Sequence, residues 1–161
     1  MISEIVEADS LDEVTQGYIL KLEKDVKGKK IEHCCDLETE IIDTLREQVD
    51  AVNSLERKKL YELELALYEG IDNLIKHCNG TGIIEVYHNP KENKLMFVFP
   101  IGEDRDNYLD VLKKSKDILS AHTDFQPCTD RTDPLGPVII MRLADIIGYT
   151  QDQYFFSYSL N

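Results

Sequence analysis

Between Asp36 and Cys78 the chain contains no proline, and its only glycine, Gly70, comes near the end of the stretch. Apolar residues recur at Leu37, Ile41, Ile42, Leu45, Val49 and Val52, then at Leu60, Leu63, Leu67, Ile71, Leu74 and Ile75. Steps of three and four place these side chains along one helical stripe. Asp36, Glu40, Asp43, Glu47 and Asp50 keep the same step on the opposite side. At ~100° per residue, all five carboxylates fall within roughly a quarter-turn of one another. Such a segment predicts helix with one side for burial and one side carrying negative charge.

Asn53-Ser54 is the one place where this helix has a reason to break, because Ser54 is able to cap a second helix starting at Leu55. Two arrangements compete. Either the halves 37–52 and 55–78 fold back on each other, or a single rod of about forty residues extends for roughly 60 Å at ~1.5 Å per residue. The apolar phase shifts only modestly across Asn53, and a turn has no reason to preserve it, which favours the continuous rod over 37–78. The seam of so long a helix has to be covered by the rest of the chain or by a second copy in a coiled-coil homodimer.

The rest of the chain reads as α+β. Residues 1–36 form an arm with an extended edge near Ser3–Ala8. Ser10 to Glu13 resembles a capping box, and a strand is expected around Gly17–Leu22. Ile83–Tyr87 and Leu95–Ile101, joined by His88-Asn89-Pro90-Lys91-Glu92-Asn93, predict a β-hairpin. Its strands are nearly continuous in apolar residues, so both faces should be covered. A second, shorter helix is expected over 104–121, a loop over 123–137, a buried strand over Val138–Met141, a short helix or turn over Leu143–Tyr149 and a closing strand over Tyr154–Leu160. In outline this is one domain of split β-α-β type, with helices packed on a small, mainly antiparallel sheet.

Charge narrows the functional classes. With 31 acidic against 18 basic residues, the chain carries a formal charge of −13. A field of that sign repels phosphate backbones and anionic lipid and attracts basic surfaces, so direct nucleic-acid or membrane binding is not expected. The start of the chain, Met1-Ile2-Ser3-Glu4, lacks a secretory pattern. Four cysteines without such a pattern point to reduced thiols in a cytoplasm.

Several constellations offer groups for chemistry. His33-Cys34-Cys35 and His77-Cys78 supply zinc-type ligands, but adjacent pairs lack the usual ligand spacing, and a continuous rod holds the two groups far apart. No metal or cofactor is therefore assigned. Cys128, with His122 before it, lacks a hydrolase signature. Cys128, Asp130, Arg131 and Asp133 in the 123–137 loop are candidate ligand-binding groups for a small-molecule binder or enzyme, although turn-forming aspartates bonding their own backbone are the better account of the acidic residues there. Gly80-Thr81-Gly82 follows a helix and precedes a strand, the wrong order for a dinucleotide fingerprint. Leu143–Gln153 resembles the first half of a phage-repressor helix-turn-helix. The residues after Gln153 are too few for a recognition helix and its supports, and the charge opposes DNA, so no residue takes a role from this resemblance.

The expectation that emerges is a non-enzymatic protein-protein interaction module. Glu40, Asp43, Glu47 and Asp50 would engage a basic, nucleic-acid-handling protein, in the manner of a phage anti-defence inhibitor or an immunity protein.

Overall fold

The computed structural model describes residues 4–77, 82–101, 105–121, 140 and 142–161. The chain forms the expected α+β fold. Six strands make one sheet: β1 (Glu4–Glu7), β2 (Ile19–Asp25), β3 (Ile83–Asn89), β4 (Lys94–Pro100), β5 (Ile146–Tyr149) and β6 (Gln153–Ser159), in the order β1-β5-β6-β4-β3-β2. Every pairing is antiparallel except β1 with β5. The helices are α1 (Leu11–Val14), α2 (Cys34–Gln48), α3 (Asp50–Asn53), α4 (Arg57–His77) and α5 (Arg105–Ala121).

The β3-β4 hairpin forms where its residues predict it. Asn89 is buried, and its Oδ1 accepts from the backbone N–H of Lys91 at 3.1 Å and of Glu92 at 3.0 Å. Asn93 takes the left-handed conformation at φ 55°. An asparagine at each end thus closes the turn with its own backbone chemistry. Both faces of β4 are covered, as its unbroken apolar run requires. Leu95, Phe97 and Phe99 point into the main core with Tyr154, Phe156 and Tyr158 of β6, under α2, α4 and α5. Met96 and Val98 point the other way with Phe155, against Leu11, Val14 and Tyr18 of the N-terminal arm. Two hydroxyls pin α4 to the sheet: Tyr154 donates to the Gly70 carbonyl at 2.9 Å, and Tyr158 to the Lys59 carbonyl at 3.1 Å.

The rod over 37–78 is corrected. Helix α2 ends at Gln48, Val49 is extended (φ −131°, ψ 104°), and α3 makes a single turn before α4. Asn53 Nδ2 reaches back to the Arg46 carbonyl at 2.6 Å, satisfying a group that the end of α2 leaves without a partner. Helices α2 and α4 pack against each other, and the charges of Asp72, Lys76 and Glu69, late in α4, act on Cys34 at the start of α2. The two helices are therefore antiparallel neighbours. Their shared phase reflects burial of both stripes in one layer, with Leu37, Ile41, Leu45, Leu63, Leu67, Ile71 and Leu74 all inside. With that seam covered by the chain itself, the ground for a coiled-coil homodimer along a long helix disappears.

Two further expectations change. Of the strand expected over 138–141 only Ile140 is among the described residues, and it lies in a helical turn, its carbonyl accepting from Ala144 N–H at 2.8 Å. The helix or turn over Leu143–Tyr149 gives way to strand β5 from Ile146, held between β1 and β6. The same β5-β6 pair occupies the segment that resembles a helix-turn-helix. The helix stop at 79–81, Cys78 and the 123–137 loop lie outside the described residues.

Candidate functional site

The acidic stripe survives the break in shortened form. Asp36, Glu40, Asp43 and Glu47 share the outward side of α2 and are exposed, while Leu37, Ile41, Ile42 and Leu45 on the opposite side are buried. Asp50 is exposed too, but it stands on α3, beyond the extended Val49, and does not continue the row. Glu40 is ion-paired with Lys24 of β2. Asp36, Asp43, Glu47 and Asp50 form no ion pair among the described residues. Carboxylates three or four residues apart stand about 5–6 Å from one another along a helix axis. The face is thus a short, regular row of negative charge on a helix whose other side is locked into the core.

The second charged region lies where α2 meets α4. Burial, followed by the Glu64 charge on α4, raises the Glu38 carboxyl above the ordinary glutamate range. Burial, followed by Asp72, does the same to Glu69. Asp72 is ion-paired with Lys76 at 2.8 Å. Fold-back also brings His33-Cys34-Cys35 to the end of the hairpin where α4 finishes. Cys34 is buried and Cys35 exposed. Burial and then Asp72 push the Cys34 thiol up, which suits a packed, protonated sulfur and not a nucleophile. The His77 side chain and Cys78 lie outside the described residues, and among those described no group of His, Cys, Asp and Glu is placed to hold a metal ion.

Comparison with known protein families, curated proteins and solved structures finds no match. Among the described residues, no helix is long and apolar enough to cross a membrane. Cys128, Asp130, Arg131 and Asp133 all fall outside the described residues.

Sequence periodicity could place the row on α2, but not its non-local neighbours. Lys24 against Glu40 depends on α2 lying over β2, and Glu38 against Glu64 depends on the fold-back. A third such pair sits on the sheet face away from α2. Glu23 of β2 is directly opposite Glu85 of β3. Both Glu85 oxygens are engaged, one by Tyr87 OH at 2.9 Å and one by Gln153 Nε2 at 3.1 Å.

These placements have measurable consequences. Glutamates whose carboxyls are raised by folding bind protons more tightly in the native state. They therefore favour folding as pH falls toward the ordinary glutamate range and oppose it as pH rises through the raised values. Glu40 has the opposite sign, lowered by its bond to Lys24, but it is solvent-exposed and screened. The melting temperature is thus expected to be higher near about pH 5 than near about pH 8, with a shallower slope in Glu38→Gln. A steady fall in melting temperature on acidification over that range contradicts this assignment. Separately, Glu23→Lys converts a like-charge cross-strand pair into an attractive one and should raise stability by about 0.2–1 kcal/mol. A urea midpoint that does not rise would show that Glu23 and Glu85 do not oppose each other.

Proposed function

We propose that this protein is a non-enzymatic interaction module whose acidic α2 face docks on a basic surface of a partner protein. The observation that supports this is the row Asp36, Asp43 and Glu47, exposed, without ion pairs among the described residues, and mounted on a helix anchored by Leu37, Ile41 and Leu45. Glu40 adds to the row with its charge already shared with Lys24. Asp50 belongs to the same surface as a flanking charge.

A net charge of −13 adds long-range attraction toward a basic cleft. Carboxylates at regular spacing offer a protein that handles nucleic acid a substitute for phosphates, so the partner class is a basic, nucleic-acid-binding protein and the outcome is inhibition by occupancy. The free thiols at Cys34 and Cys35 fit a reducing, cytoplasmic setting.

Binding of this kind is steered by charge and weakened by salt. Partners captured by the immobilised protein in low salt should elute in high salt and be identifiable by mass spectrometry. Their nucleic-acid activity should fall when the protein is added back. Retention that is indifferent to salt would reject an electrostatic docking face.

A further inference from the structure

β2 stands at the edge of the sheet, so one row of its backbone N–H and C=O groups has no neighbouring strand among the described residues. Ile19 and Leu20, within that strand, are 51% and 41% exposed. Carboxylates flank the same edge on both faces. On the helix side α2 lies over β2, with Glu40 held against Lys24. Asp36 and Asp43 sit on either side of Glu40 along the exposed row. On the other side Glu23 stands opposite Glu85, and Asp25 opposite Ile83. Of the two lysines in this edge strand, Lys24 is held by Glu40 and Lys21 sits at the register slip. The register of β2 against β3 slips between Leu20 and Leu22, and the ladder from Leu22 to Asp25 is regular.

We infer that the β2 edge accepts an extended segment of the basic partner as an added strand. Main-chain hydrogen bonds would join that segment to the ladder. Its basic side chains, on one face, would meet Asp36, Glu40 and Asp43, and its alternating apolar side chains, on the other face, would lie beside Leu20. This inference rests on the proposal that the acidic surface docks a basic protein, and it adds the mode of docking. A second copy of the chain fits less well. Two-fold pairing of β2 with itself sets both helix layers on one face and brings the acidic α2 beside its own copy.

Two peptides of equal charge separate the outcomes: an alternating (Lys-Val)4, able to extend as a strand, and (Lys-Pro-Pro)4, whose paired prolines remove ladder donors in either register. At low salt (Lys-Val)4 should bind at least about tenfold more tightly, a difference easily resolved by titration. It should also slow amide exchange across Ile19–Asp25. The double variant Ile19→Lys, Leu20→Lys should lose the preference at an unchanged melting temperature. Equal binding of both peptides without protection of β2 overturns the added strand and leaves the acidic docking face standing. Binding of neither peptide overturns both. A peptide-independent dimer that dissociates in the double variant assigns the edge to a second copy and likewise overturns the inference.

Discussion

Replacing Phe99 with alanine is expected to destabilise the protein by about 3–5 kcal/mol, seen as a lower denaturant midpoint at an unchanged slope. Phe99 is fully buried on the helix side of β4. Its ring stacks on Tyr154 with centroids 4.9 Å apart and on Phe156 at 5.7 Å. It also lies directly under α4 at Gly70, where an added Cβ would stand 2.6 Å from the ring. The glycine near the end of the long apolar stretch is therefore a point of close approach between helix and sheet. Gly70→Ala gains about 1 kcal/mol in helix propensity but overpacks this contact at a cost of about 1–3 kcal/mol, so a net loss is expected. In a Phe99→Leu background the same substitution should cost less, with a coupling of about 0.5 kcal/mol or more. Strict additivity of the two changes would contradict direct contact between Phe99 and Gly70.

The elements legible in the sequence are those decided by local chemistry. The β3-β4 turn carries its own hydrogen-bond acceptor in Asn89 and its left-handed residue in Asn93, and α2 carries its two-sided pattern within a single unbroken helix. Elements decided by distant neighbours are not legible in the same way. The end of α2 contains neither glycine nor proline. It is set by an extended Val49 and by Asn53 reaching back to Arg46, and periodicity does not register either feature. Ile146-Ile147-Gly148-Tyr149 is an apolar run too short for its period to separate helix from strand, and pairing with β1 and β6 decides it. Ser10 has the sequence context of a cap, yet its side chain makes no capping bond, and α1 is held by packing under β4 and β6. For the candidate site, Asp36, Glu40, Asp43 and Glu47 are legible as a row. Detaching Asp50 and pairing Glu40 with Lys24 requires the tertiary fold.

The second large effect concerns binding. Reversing Asp36, Asp43 and Glu47 to lysine replaces three exposed negative charges with three positive ones and disturbs no ion pair among the described residues. Because these side chains lie on the solvent side of α2, the fold should tolerate the change, with a melting temperature close to that of the parent. Affinity for a basic partner should fall by at least about a hundredfold, since each contact changes from attraction to repulsion. Glu40 is left unchanged so that Lys24 keeps its partner.

The most direct measurement is a side-by-side capture at low salt with the parent protein and the variant Asp36→Lys, Asp43→Lys, Glu47→Lys, both confirmed folded by circular dichroism. A set of basic proteins retained by the parent, released by high salt and missing from the variant is the predicted result. The same proteins retained equally by both would contradict a docking role for the acidic face of α2.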